Sequence, residues 1–442
     1  MFIMTKDKTK NIELVYDAND PPRSTRDWII YSLQWVVTMV YAVVWGYAIV
    51  GIEMGFNSAE LSGYMSSIVL TIGLSTLLQV WLGHRMAMVS GPNVIPSLAI
   101  VAAITAGGKD YAQQAFLAQS IASIVIIALT LFGAVKYIKK IWSPLILGSM
   151  VMLVGLSISK QGLALLVAFG FGWQFFTGVA LAVIGTFVAI RAKGVWGTLP
   201  PLIVIVLGYA IFMTMSEFQW ELMQGPELFV LPEILPYGLA IPPFDLIAIM
   251  IVVNLMAALN MFGNLSGYAG VINHKLEDNT VNRSFLFFGT IETCLAGILG
   301  VPATVAYGEN LGIVMLTRVA ARSFIIAASI IFIVFAFIGP IGGLMAAMPK
   351  PVAGAVLLGI ASTVIGIGAN MMATAPSFGR REQSLVGFSI FLSLGLFLLP
   401  QETWKDVPRI ITTIFSNPII SVIIFVMLFE QIFFRQKQSY KK

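Results

Sequence analysis

Apolar residues in this chain gather in long blocks rather than alternating at a period of two, and short polar clusters separate one block from the next. A run of about 20 apolar residues is what an α-helix needs to cross the hydrocarbon of a bilayer. Such blocks lie at residues 28–49, 59–81, 86–105, 112–134, 142–158, 165–190, 199–215, 246–271, 284–299, 303–316, 319–340, 351–370, 384–399 and 409–434. The pattern therefore predicts an all-α polytopic membrane protein with about fourteen spans. Composition agrees: 58% of the residues are hydrophobic and 11% charged, whereas a soluble domain carries roughly 25% charged residues.

Two blocks are interrupted. Residues 300–317 hold Pro302, Gly308 and Gly312 together with Glu309 and Asn310, and residues 86–99 hold Ser90, Gly91, Pro92, Asn93 and Pro96. Neither can form an unbroken helix, and irregular backbone at membrane depth belongs where it lines a polar cavity. A carboxylate at that depth usually has a function; the alternative is a helix end with Glu309 at the lipid interface. The interval 217–245, rich in Pro and Glu, divides the blocks into seven and seven. An odd number per half makes the second half enter the membrane upside down, as an inverted repeat requires. The broken blocks are the third of each half, spans 3 and 10. The organisation expected is a cytoplasmic tail at 1–27, a first repeat at 28–215, an extracytoplasmic linker at 216–245, a second repeat at 246–434 and a cytoplasmic tail at 435–442.

Charge adds orientation. Arg85, Lys136, Lys139, Lys140, Arg191, Lys193, Lys275, Arg283, Arg318, Arg322, Arg380 and Arg381 fall in alternate connections, while the opposite loops hold Glu53, Lys109, Asp110, Lys160, Glu217, Glu221, Glu227, Glu233, Lys350, Glu402 and Asp406 and are acidic or mixed. The basic side, with both termini, is expected to be cytoplasmic, in the plasma membrane. Spread over short loops, the net charge of +5 does not form a nucleic-acid surface. Residues 1–26 contain no apolar region ending in a cleavage site, so no cleaved leader is expected. A single cysteine, Cys294, excludes an intrachain disulfide framework, and His84 and His274 without HExxH spacing give a metal site no support. No cofactor is expected.

The run Glu309-Asn310-x-Gly312-x-x-x-x-Thr317-Arg318 resembles the signature of the nucleobase-ascorbate transporters, the xanthine and uracil permeases. Ser32-Leu33-Gln34 is similar to that family's glutamine motif, Pro144-x-x-x-Gly148 through Val154-Gly155-Leu156 to its fifth span, and Pro349-Lys350-Pro351-Val352-Ala353-Gly354 to the start of its twelfth. The resemblance covers residues 28–430. It implies a core domain (spans 1–4 and 8–11), a gate domain (spans 5–7 and 12–14), a substrate site in the core facing the gate, elevator-type alternating access and a homodimer. In the eighth span the bacterial members place a glutamate and, four residues on, a histidine or other polar residue linked to proton coupling; here Asn260 and Asn264 occupy those places. An amide can bond a base edge but cannot take up a proton.

A planar nucleobase presents N–H donors and C=O acceptors, so its pocket needs carboxylates or amides facing backbone N–H groups. Glu309 could accept from ring N–H groups, the N–H groups of Tyr307 and Gly308 could donate, and Asn260 and Asn264, four apart on one helix face, could cover the other edge. Asn310 and Asn93 are further candidates. The asparagines could equally join two spans. Tyr41 and Tyr307 are candidates to pack on the base plane or simply core residues; Gln34 is a ligand or a structural bond. Gly312, Thr317 and Arg318 are expected to shape and close the signature helix. Glu292, inside the ninth span, and Glu309 are candidates to couple transport to a proton, with sodium the other coupling ion; for Glu292 the alternative is an ion pair with an arginine.

The chain thus reads as a secondary transporter of a nucleobase-like molecule. The runner-up is an inorganic or organic anion carrier resembling the sulfate permeases, which share this architecture. An intramembrane enzyme would need a Ser/His pair, an aspartate dyad or HExxH within the spans, and a nucleotide-driven pump a GxxxxGK[ST] loop; neither pattern occurs.

Overall fold

The computed structural model describes residues 14–133, 135, 143–192, 199–215, 218–224, 227–272, 275–308, 310–373, 375 and 378–434. The chain runs α1 (Thr25–Trp45, continuing as a wider π-helical turn Gly46–Gly51), α2 (Ser58–Trp81), β1 (Ser90–Pro92), α3 (Val94–Leu131), α4 (Pro144–Leu166), α5 (Trp173–Arg191) and α6 (Pro200–Thr214). Its second half runs α7 (Phe244–Val271), α8 (Asp278–Phe287, continuing as the π-helix Phe288–Leu295), β2 (Thr304–Ala306), α9 (Asn310–Thr317), α10 (Arg322–Ala336), α11 (Gly339–Ala346), α12 (Lys350–Ala373), α13 (Arg380–Leu398), α14 (Arg409–Ser416) and α15 (Pro418–Met427).

Local chemistry sets the boundaries. Ser24 caps α1 by accepting from the Asp27 N–H, Asn57 and Glu60 form a reciprocal capping box on α2, and Ser143 caps α4 with Pro144 in the first turn, each satisfying N–H groups that a helix start leaves unbonded. Gly108 (φ 82°) divides α3 into two helices. Among the described residues, seven helices are long and apolar enough to span a bilayer, and the pair Arg409–Ser416 and Pro418–Phe433 would make an eighth. The block at 409–434, expected as one span, is bent by 86°. Pro418 has no N–H to continue the ladder, and Asn417 starts a new helix by accepting from the Ile419 and Ile420 N–H groups.

The two interrupted blocks do not stop as frayed helices. They meet as an antiparallel pair, Ser90 opposite Ala306, Gly91 opposite Val305 and Pro92 opposite Thr304. Flanking bonds from Asn93 N–H to Ala303 O and from Tyr307 N–H to Val89 O, 2.8 and 2.9 Å, extend the ladder, so buried backbone at this depth is satisfied. Gln119 of α3 holds the approach to β2: its Oε1 accepts from the Ala303 N–H at 2.9 Å while its Nε2 donates to Thr293 O and Val301 O.

Against the strand pair pack α1, α2, α7 and the π-helix Phe288–Leu295, with α3, α8, α10 and α11 packed on those helices; a second group is built on α4 and α12, which lie against each other along their length, with α5, α6 and α15 alongside. The α4–α12 seam is a ladder of small residues seven apart, Gly148, Gly155 and Gly162 facing Gly368, Ala361 and Gly354 in antiparallel order. A Cβ on Gly148 would come within 2.7 Å of Gly368 O, and one on Gly155 within 2.8 Å of Ala361 O. Such close approach is how helices gain packing energy where the surrounding lipid is as apolar as the side chains. The segment before α1 straps onto the end of α9: Val15 N–H donates to Arg318 O and Ala320 N–H to Tyr16 O, and Tyr16 is buried.

Candidate functional site

The strand pair aims two helix starts and the side chains around them at the seam between the helix groups. There a cavity of about 40 Å³ is lined by Trp45, Asn93, Val94, Val151, Val154, Asn260, Asn264, Val305, Tyr307 and Val364. Val151 and Val154 come from α4 and Val364 from α12, so the α4–α12 ladder fixes one wall. The other wall is β2, the head of α3, and the faces of α1 and α7. No charged side chain lines it among the described residues. The volume is well below the ~300–1,000 Å³ of ordinary small-ligand pockets, so a ligand larger than a few atoms requires the valine wall to draw back.

Each polar group has a defined environment. Asn93 caps α3 with Oδ1 accepting from the Ile95 N–H at 3.0 Å, while its Nδ2 is buried without a partner among the described residues. The indole Nε1 of Trp45 is a second buried donor without one among the described residues. Asn264 donates from Nδ2 to Ala306 O at 2.8 Å, tying α7 to β2, and its Oδ1 lies so close to Gly308 that a Cβ there would sit 2.9 Å from it. Asn260, one turn away on α7, is 8% exposed. The Tyr307 ring stacks near Tyr41, with centroids 6.1 Å apart and planes at 23°, and tilts against Trp45 at 5.5 Å; its hydroxyl donates to Pro92 O at 2.9 Å.

The structure thus brings Asn93, Asn260, Asn264 and Tyr307 together, with Tyr41 one ring behind. Others fall elsewhere. The Tyr307 N–H, expected to face a ligand carbonyl, is spent on Val89 O in the strand ladder. Asn310 donates to Val89 O and Tyr307 O at 3.1 and 2.9 Å and so anchors α9 instead of lining the cavity. Gln34 is buried in α1 away from the lining. Thr317 turns back onto Ile313 O at 2.9 Å and its oxygen accepts from the Val319 N–H, Arg318 takes φ +59°, and the space beside Gly312 is open. Glu309 and His274 lie outside the described residues. Glu292 is fully buried and accepts from Gln79 Nε2 at 2.6 Å; the arginine partner considered from sequence is not there among the described residues.

Sequence reasoning missed Trp45, the five valines of the lining and Gln79. Trp45 sits four residues after Tyr41 on one helix face, a signal that could have found it. The valines look like any other apolar position. A cavity of about 280 Å³ at the far end of α1, lined by Tyr47, Phe56, Phe169, Phe212, Gln219 and Lys350 among others, is larger but sits among the ends of helices, away from the broken spans.

Comparison with known proteins places this geometry. The Permease family model (Xan_ur_permease) matches residues 26–402. The chain is 24% identical over 392 residues to the uracil permease of Bacillus caldolyticus, covering 86% of this chain and 88% of that protein. It is 24% identical over 400 residues to the xanthine permease of Bacillus subtilis, covering 88% and 90%. Among solved structures it is similar in fold to the transmembrane domain of the cyanobacterium bicarbonate transporter BicA, with a TM-score of 0.56, 16% identity, and coverage of 89% of this chain and 97% of that one.

Proposed function

The chain belongs to the Permease family, a family of membrane transporters and not of enzymes, and from that premise we propose that it carries a nucleobase such as uracil or xanthine, or a related heterocycle, across the cell membrane. In this reading the helices around β1 and β2 form the core domain and those built on α4 and α12 the gate domain, within fourteen spans of inverted seven-span repeats with cytoplasmic termini, and the protein works as a homodimer. The core slides against the gate in an elevator movement that exposes the seam to one side and then the other. The base lies flat against Tyr307, with Tyr41 stacked behind, and Asn93, Asn260, Asn264 and the Trp45 indole meet its edge. Glu309, kept from the signature, accepts from ring N–H groups.

One observation carries this reading: Asn93 Nδ2 and Trp45 Nε1, on residues lining the cavity, are buried donors without partners among the described residues. A buried donor left unsatisfied costs about 1–3 kcal/mol, which a substrate carbonyl or ring nitrogen recovers. The alternative, an inorganic anion carrier, has the likeness to BicA behind it, but at 16% identity that likeness speaks for the fold alone. A lining of valines, two aromatic rings and three neutral amides, without a cation among the described residues, suits a neutral planar ring better than sulfate or bicarbonate.

The test is thermal shift of detergent-purified protein against uracil, xanthine, sulfate and bicarbonate, followed by counterflow of the stabilising compound in proteoliposomes. A ligand at about 100 times its Kd adds about 2.7 kcal/mol of stability. Stabilisation and counterflow by a nucleobase, both lost in Glu309→Gln, are expected; stabilisation by the anions alone overturns the proposal.

A further inference from the structure

The ninth predicted span carries a carboxylate that the substrate site does not use. Between Phe288 and Leu295 the helix widens to π geometry, a local form that recurs at functional positions, and Glu292 sits within it at 0% exposure. One carboxylate oxygen, Oε2, takes the 2.6 Å bond from Gln79 Nε2. The other, Oε1, has no partner among the described residues, and neither do Gln79 Oε1, Ser90 Oγ and Ser284 Oγ of neighbouring residues. Gln79 Nε2 also donates to Ser284 O at 3.1 Å, and Ser90 lies beside the carboxylate.

No cation faces this group among the described residues. On α2, Glu60 pairs at the far end with Lys109 of α3; Asp110 is near that same end, and Tyr111 donates to Asp245. On α8, Asp278 and Arg283 lie in the first turns, Arg283 bonded to Asn279. His84, after α2, is buried with Nδ1 accepting from the Met86 N–H, so it is neutral with its proton on Nε2. A charged carboxylate here would be buried without a counter-ion, a costly arrangement. A proton on Oε1 removes the charge and converts an orphaned acceptor into a donor for Gln79 Oε1 or Ser90 Oγ, so one proton satisfies two groups at once.

We propose that Glu292 is the proton-binding site of the transport cycle, protonated in the conformation seen here and held by Gln79 and Ser90; this rests on the transporter reading above. Two short routes join it to the cavity. Gln79 Nε2 contacts the Met261 sulfur at 3.8 Å, next to Asn260 on α7. Ser90 pairs across the strands with Ala306, whose carbonyl receives the Asn264 amide. A base that pulls on Asn264 therefore displaces the strand pair that packs on Glu292, and the proton site and the substrate site are coupled reciprocally.

The experiment uses proteoliposomes of the full chain. Wild type is expected to accumulate labelled nucleobase under an imposed pH gradient, and Glu292→Gln to lose that accumulation by at least about tenfold while counterflow, which moves no net proton, falls by no more than about threefold. Gradient-driven accumulation that survives Glu292→Gln, or that follows sodium instead of pH in wild type, overturns the assignment. Absence of counterflow for every nucleobase in wild type overturns the transporter reading itself, and is distinct from loss of gradient coupling alone. A measurement independent of the variant's folding is proton exchange on mixing wild-type protein with nucleobase in weakly buffered detergent solution containing a pH dye; no proton released or taken up contradicts the proposal.

Discussion

Gly91 is the sharpest point at which a single methyl group tests the site. A Cβ at this position would lie 2.6 Å from the Tyr307 hydroxyl, 2.7 Å from its Cζ and 2.9 Å from Ala42 Cβ, against ordinary carbon contacts of about 3.5–4.0 Å. The strand pair cannot yield without losing its ladder, so Gly91→Ala drives the Tyr307 ring back by about 1 Å and strains its bond to Pro92 O. Overpacking of this kind costs about 1–3 kcal/mol and the weakened bond about 0.5–1.5. If about 1.4–2.8 kcal/mol of that falls on the substrate-bound form, nucleobase affinity drops about 10–100-fold. Calorimetric titration of the folded variant measures it, and the Tyr307→Ala background provides the control. There, adding Gly91→Ala leaves only the clash with Ala42, and most of the penalty vanishes. Binding within about twofold of wild type, or an unchanged penalty in the Tyr307→Ala background, would refute the reasoning.

Asn264→Leu removes the 2.8 Å bond to Ala306 O; its stability cost should lie between the ~0.6 kcal/mol typical of interhelical bonds in membranes and the ~1–3 kcal/mol of an orphaned buried carbonyl, read by thermal unfolding in detergent, and no measurable change would count against the strand anchor. Gly155→Leu, which drives a side chain into Ile365 and Ala361 O, should abolish folded yield, whereas Gly359→Leu on the same α12, with nothing within 4 Å, should be tolerated; equal behaviour of the two would dismiss the α4–α12 ladder as a stability element. Glu53 and Gln161, hydrogen-bonded at 2.8 Å between the two helix groups, offer a lock: replaced by cysteines with Cys294→Ala and joined by a short cleavable linker, they should block uptake until the linker is reduced, and full uptake in crosslinked protein would argue against relative movement of the groups.

Chemistry that interrupts a pattern was legible in the sequence. The prolines and glycines that break residues 86–99 and 300–317 announced irregular backbone, and the structure pairs those breaks directly; the pairing itself, a contact between residues more than 200 apart, has no local signature. Asn260 and Asn264 stood out as amides in an apolar run and do line the cavity. Asn310, an equally conspicuous amide, is consumed by backbone carbonyls, a fate that depends on where β1 passes. The valine wall could not be read at all, because a valine facing a substrate seam and one facing lipid are the same letter in the same hydropathy profile. The bend at Asn417 was carried by the Asn-Pro step, which the apolar content on both sides concealed.

The claim that the seam between Tyr307 and the α4–α12 wall holds a nucleobase is tested most directly by substrate protection. With Val154→Cys as the only thiol, in the Cys294→Ala background, the rate of maleimide alkylation is measured alone, with saturating uracil or xanthine, and with sulfate or bicarbonate. The account predicts that a nucleobase slows alkylation of this position, 8% exposed in the closed seam, by at least about tenfold, as near-complete occupancy at concentrations well above Kd demands, and that the anions do not. Alkylation at the same rate with and without every nucleobase, or protection by the anions alone, would contradict it.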